Sequence, residues 1–431
     1  MILTEIERLQ VERIKSKTGC LKALDSKCEV FGSKSWSYKW PACASEKDVA
    51  VVETKYGIEL PREYRIYLRY VANGGPGFAY GLYPLEKCEI FGDIKKDCTC
   101  FPFIGHEDFE RIEELQQAIW DEDEDSEIDL FYDGLLAIAT EGCTFDICLV
   151  ITGKYRGRLV RTDHNEEGPF FFIYDENFLD WYERWLDDFI AGMDMNSFGG
   201  SVKGSQAGLR QMFLAENNAM FKNDIVFSLG RFPVIEQETT DFLLDLCRNN
   251  TDVDICYTAL RRLIYKKVPG VFEVMRELFD STDDNRRNLC IRLLSFASKN
   301  GVSVESFIPQ LLEFMSTLSD DLFSNAVWAV QATSFNRYEV LLPFLSLTDK
   351  SKLITALWAV GETPDKVDID FVDRVISFFD HENEDIVRYA ILALTEIRDN
   401  RVPPLVDGAF ERFPEFETLR KNYYRRTWGR M

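Results

Sequence analysis

The stretch Val49–Gly77 reads VAVVETKYGIELPREYRIYLRYVANGGPG, and its punctuation sets the fold of the first half of the chain. A helix carrying Val52 and Tyr56 stops at Gly57, a residue suited to the left-handed conformation that closes helix C-termini. Leu60-Pro61 starts a second helix, because the missing N–H of proline costs little in the first turn. Tyr64, Tyr67, Leu68 and Val71 recur at helical spacing and form its buried stripe. Asn73-Gly74-Gly75 breaks that helix and turns the chain into a first strand.

Downstream, the texture becomes β-rich. The runs LLAIAT (Leu135–Thr140), DICLVIT (Asp146–Thr152), RLVRTD (Arg158–Asp163) and FFFIY (Phe170–Tyr174) are separated by short Gly-containing turns. Connections this short favour antiparallel pairing. A closing helix is expected over Glu176–Ala191, where Phe178, Trp181, Tyr182, Trp185 and Phe189 recur at helical spacing. The result is an α+β domain with a mixed, mostly antiparallel sheet and flanking helices.

The order of helix, Gly57, Leu60-Pro61, Tyr-rich helix and Asn73-Gly74-Gly75 resembles the SUKH superfamily, which takes in yeast cell-wall-synthesis regulators and many bacterial immunity proteins. Further matches are Gly81-Leu82-Tyr83-Pro84-Leu85 as the strand after the turn and Thr140-Glu141-Gly142 with Asp146 as the next strand's entry. Asp163-His164 is similar to the aspartate-histidine ending a hydrophobic strand, and Asn177-Phe178-Leu179-Asp180-Trp181 to the closing helix. The resemblance covers about 46–190. It implies a binding fold with no known catalysis, one that in bacteria commonly neutralises a cognate toxin, often a nuclease or deaminase, by direct contact.

Residues 191–208, AGMDMNSFGGSVKGSQAG, hold five glycines among Ser and Asn, which reads as a linker. Beyond it the pattern is helical and repeats. The pairs Ala259-Leu260, Leu293-Leu294, Ala329-Val330, Ala359-Val360 and Ala393-Leu394 follow one another at 34, 36, 30 and 34 residues. A weaker unit lies at Val226-Phe227. Such a period marks stacked helix pairs, each burying its apolar face only against its neighbours. The unit Phe371–Ile397 is the clearest and looks like a HEAT-type repeat. The expected organisation is therefore a SUKH-like domain over 1–190, a linker over 191–208 and an all-α HEAT-like solenoid over 209–431.

Charge narrows the function. Acids outnumber bases 73 to 50, a net of −23, which argues against gripping a nucleic-acid backbone. Twelve acids and one base fall between Glu107 and Asp129, a net of −11. At its centre stand Asp121, Glu122, Asp123, Glu124 and Asp125, flanked by Trp120, Phe131 and Tyr132. Acids at this density attract a basic partner or stay solvated, and aromatics beside them suit an interface anchor. These eight residues are the candidate partner-binding site, and a solubilising loop is the competing reading. A calcium loop is rejected, since Ser126 replaces the glycine and Tyr132 stands where the bidentate glutamate belongs.

No metal or cofactor is expected. The 11 cysteines form no CxxC, and only His106, His164 and His381 supply imidazoles. Cys247, Cys256 and Cys290 fall at inward helical positions and read as small core residues. The sequence holds no GxSxG, phosphate-cradling loop or HExxH, and His164 beside Asp163 reads as a strand-closing residue rather than a base. The basic, aromatic tail Arg420–Arg430 reads as a cap on the helical array. No secretory segment or run of about 18 apolar residues appears, so the chain is expected to be cytoplasmic, with no membrane or nucleic-acid partner. Together these features predict a non-enzymatic protein-binding protein. As an immunity protein it would bind a basic toxin domain; as an alternative it would be a scaffold recruiting proteins through its repeats.

Overall fold

The computed structural model describes residues 1–98, 132–165, 171–363 and 369–429. The chain divides into two compact units, Met1–Leu243 and Leu244–Met431.

In the first unit, α1 (Glu5–Leu24) and the short α2 (Ser33–Trp36) precede α3 (Glu46–Tyr56) and α4 (Arg62–Tyr70). Ser45 begins α3 by accepting from the Asp48 N–H, while the Asp48 carboxylate accepts from Ser45 N, so two end donors are satisfied reciprocally. Gly57 ends α3 at φ +65°, the left-handed cap its position requires. Pro61 stands just before α4, which buries Tyr64, Tyr67 and Leu68 as expected and Ile66 as well.

The sheet is antiparallel, in the order β1 (Leu135–Gly142), β2 (Phe145–Val150), β3 (Leu159–Asp163) and β4 (Phe171–Phe172). The strand expected at Gly81–Leu85 is reduced to isolated bridges, Gly75 with Leu82 and Leu82 with Ala139. Pro84 has no N–H to extend a ladder there. Leu136, Ile138, Ile147, Leu149 and Leu159 face the main core, with α5 (Phe178–Ile190) and its Phe178, Trp181, Tyr182 and Trp185. The opposite face buries Leu135, Ala137, Cys148, Val150 and Val160 in a second cluster. Helix α1 is tied to α5 by ion pairs from Arg13 and Lys17 to Glu183, at 2.7 and 2.8 Å.

Residues 191–208, expected as a linker, are packed into this unit. Phe198 is fully buried, lying 5.4 Å from the Phe78 ring and 5.9 Å from Trp181, and Ser201 and Val202 are buried beside it. Helices α6 (Gln206–Ala215), α7 (Ala219–Leu229) and most of α8 (Gln237–Asn249) complete the unit. On α7, Asp224 accepts from the Tyr174 hydroxyl at 2.6 Å, and desolvation pushes its carboxyl up to about 6 from the usual 3.8.

A raised folded-state pKa means the stabilising contribution is complete below pH 3.8 and is lost as pH rises through about 6. Asp224→Asn keeps an oxygen for Tyr174 without the charge. Its stability relative to the parent should therefore improve by about 2–3 kcal/mol between pH 4 and pH 7. Urea titrations at the two pH values read this; an unchanged difference would mean that Asp224 is solvated.

The second unit is helical: α9 (Val253–Tyr265), α10 (Val271–Phe279), α11 (Asp284–Lys299), α12 (Ile308–Phe314), α13 (Asp320–Gln331), α14 (Tyr338–Leu341), α15 (Lys350–Gly361), α16 (Ile369–Ile376), α17 (Glu384–Ala393), α18 (Val402–Arg412) and α19 (Glu417–Trp428). Alternate helices pack in sequence, α9 on α11, α11 on α13, α13 on α15 and α15 on α17, while α10, α12, α14 and α16 each contact the helix that follows. All ten residues of the small-plus-apolar pairs are buried. The reason is visible at Gly361, where an added Cβ would come within 2.7 Å of Ala393 Cα. Helices at this distance need small residues at the crossing. The region is consistent with helical repeats. Its end is covered by α19, whose buried Thr427 hydroxyl accepts from Glu396 N and whose Tyr424 and Arg420 bind Asp407.

Candidate protein-binding site

The second sheet face carries the site. The register pairs Asp146 with Thr162 and Phe145 with Asp163 across β2 and β3. Side chains alternate faces along a strand, so Asp146, Thr162 and His164 share one face and Asp163 points to the other. His164 is accordingly bound to Asp146, with Nε2 to Oδ2 at 2.7 Å. Its Nδ1 lies 2.9 Å from the Tyr132 hydroxyl, and the two rings are stacked at 8°. Phe91 meets both rings edge-on. With Asp146 accepting from Nε2–H, Nδ1 is free to accept from the Tyr132 O–H.

Tyr132 was expected as a surface anchor; it is instead 2% exposed, and burial raises its hydroxyl pKa. Its phenol hydroxyl is hydrogen-bonded to His164 Nδ1 at 2.9 Å. Trp120, Asp121, Glu122, Asp123, Glu124, Asp125 and Phe131 lie outside the described residues. Their two points of attachment are defined. Cys98, where the described chain pauses, and Tyr132, where it resumes, pack on the same sheet face. Asp133 Oδ1 accepts from Asp93 N at 2.6 Å, and Gly134 N donates to Asp93 O at 3.0 Å, closing the stem of the segment between them.

Asp146 as the partner of His164 was missed in the sequence, where the adjacent Asp163 is the nearer candidate. Strand alternation is the signal that separates them. The turn between β1 and β2 adds exposed groups: Cys143, and the Phe31 and Tyr80 rings at 5.2 Å, which are 50% and 42% exposed. Arg161 lies 4.1 Å over Phe145 and forks onto Glu141 at 2.7 and 3.1 Å. No group of three or more metal-ligating side chains occurs among the described residues. Cys247, Cys256 and Cys290 are buried thiols, with Cys256 pushed up to about 11 by desolvation, and none is poised as a nucleophile.

Residues 43–191 match the SMI1/KNR4 family, SUKH-1. The SUKH-1 region is about a third of the chain and takes in α3, α4, the sheet and α5. No curated protein matches the chain. Among solved structures, two engineered proteins from a structural-genomics consortium are similar. One is 16% identical over 57% of this chain and 73% of its own, with a TM-score of 0.36. The other is 19% identical over 42% and 87%, with a TM-score of 0.28. No helix among the described residues is long and apolar enough to cross a membrane. A SUKH-1 region is consistent with an immunity-type or regulatory protein that works through protein–protein contact.

Proposed function

We propose that this chain is a non-catalytic, cytoplasmic binding protein whose SUKH-1 region neutralises a basic toxin domain of the nuclease or deaminase class. The observation that carries this reading is the SUKH-1 match over residues 43–191, into which the acidic stretch is inserted. Basic nucleic-acid enzymes carry a cationic surface for phosphates. An acidic partner accelerates encounter with that surface and then covers it. Asp121, Glu122, Asp123, Glu124 and Asp125 steer, while Trp120 and Phe131 anchor; Tyr132 holds the stem. The helices that follow are read as a HEAT-like solenoid.

The test begins with capture from lysate of the protein's own source at low and high salt. A recovered basic protein is then expressed alone and together with this chain. Arrest of growth that co-expression relieves supports the reading. Capture only of housekeeping proteins held through 209–431 would favour the scaffold. Converting the five acids to Asn and Gln should slow association at least tenfold at low salt and flatten its salt dependence, read by stopped-flow. An unchanged rate and slope would reduce the stretch to a solubiliser.

A further inference from the structure

The second unit carries a row of outward side chains that its core does not use. The residue just before the last four of the five small-plus-apolar pairs is Arg292 on α11, Trp328 on α13, Trp358 on α15 and Leu392 on α17, and before the first, on α9, it is Thr258. Because these helices pack in sequence and their pairs are buried at the same register, the four residues stand side by side on one face. Trp328 is 46% exposed and Leu392 39%, and Trp358 is half-buried. Neither indole N–H has a partner among the described residues. Exposed tryptophans at equivalent positions on neighbouring helices are unusual on a water-facing surface, and tryptophan is the residue most enriched where binding energy concentrates.

The row begins in a basic patch. Arg261 on α9 lies 5.1 Å over the Phe296 ring of α11, which places both on this face, one turn from Arg292. Lys299 follows Arg292 by seven residues on the same side of α11. Arg261, Arg292 and Lys299 are exposed, and none is in an ion pair among the described residues, in a protein of net charge −23. Other arginines of this unit are neutralised by carboxylates, as Arg248 is by Glu277 and Arg276 by Asp280. The tryptophans, by contrast, are bracketed by Asp321 and Glu362, which would repel a phosphodiester backbone.

We infer that this row is a docking surface for a short linear segment of another protein, acidic at one end and apolar along the rest. Its acidic end meets Arg261, Arg292 and Lys299, and its apolar side chains lie on Trp328, Trp358 and Leu392. Four helices at 8–10 Å separation span about 25–30 Å, which an extended chain covers in about nine residues. This surface is independent of the SUKH-1 region and stands whether or not that region binds a toxin.

The experiment pans a random 12-residue peptide display library on the full-length protein and measures enriched peptides by fluorescence polarisation. The expected peptides carry Asp or Glu at one end followed by Leu, Phe or Trp. Trp328→Ala should weaken them at least tenfold with an unchanged melting temperature, since its side chain is at the surface, and Trp358→Phe, which keeps an apolar ring at the half-buried position, should weaken them further. Arg292→Glu, which leaves the tryptophans in place, should weaken them at least fivefold and remove the preference for acids. Absence of enrichment, or peptides that bind these variants as well as the parent, would overturn the proposal. So would tight binding of a 12-nucleotide oligouridine that the same substitutions abolish, because the row would then be a nucleic-acid surface.

Discussion

Replacing Arg184 by alanine should cost the first unit about 3–5 kcal/mol. The guanidinium is 3% exposed and forks onto Asp175, with Nε 2.9 Å from both carboxylate oxygens and Nη2 2.6 Å from Oδ2. Its Nη1 donates to Ser201 Oγ at 2.9 Å, and its plane lies 4.1 Å over Phe198. Arg231 reaches the same Ser201 Oγ at 2.7 Å and Asp188 at 2.8 Å, so two arginines and two aspartates balance around one serine. Burial lowers the Arg231 pKa, and Asp188 offsets the cost of keeping it charged. Deleting the Arg184 side chain leaves Asp175, also buried, without its cation. The pair as a whole is worth far less than its breakage costs, because both charges had to leave water. Asp175→Leu combined with Arg184→Met should therefore recover most of the loss. Urea unfolding followed by the fluorescence of Trp181 and Trp185 reads both variants. A loss below about 1 kcal/mol for Arg184→Ala would mean that water reaches the cluster.

This cluster also shows where the sequence stops being informative. Helices α3 and α4, the three main strands and α5 are legible because periodicity, Gly57 and Pro61 act within a few residues. The repeats are legible because close helix packing requires a small residue at a fixed interval, and Ala259, Ala329, Ala359 and Ala393 meet it. Residues 191–208 carry no such local signal. Their glycines suggest a free tether, yet Phe198 and Ser201 are fixed by Arg184 and Arg231, the latter thirty residues away from Ser201. Buried charges that match only in three dimensions leave no periodic trace. His164 is an intermediate case. Its partner Asp146 follows from the register of β2 on β3, whereas the phenol of Tyr132 comes from beyond a long insertion that no pairing rule spans.

The same packing predicts that a fragment ending at Ile190 will fail to fold, whereas one ending at Asn250 will unfold cooperatively. The shorter fragment keeps the SUKH-1 region almost intact but loses Phe198, whose burial alone is worth about 2–3 kcal/mol. It also loses Ser201, Arg231 and the Asp224 acceptor of Tyr174, leaving Arg184, Asp188 and Tyr174 facing water or unpaired. These losses together are comparable with the lower end of the about 5–15 kcal/mol that holds a typical domain. The fragment to Asn250 retains every one of these partners and the whole of α8. Near-UV circular dichroism with urea titration separates the outcomes: a sigmoidal transition for 1–250 and none for 1–190. Cooperative unfolding of 1–190 would show that residues 191–243 only decorate the SUKH-1 region. The distinction governs any binding test as well, since loss of a partner by 1–190 would report unfolding, and only 1–250 can assign binding to the first unit.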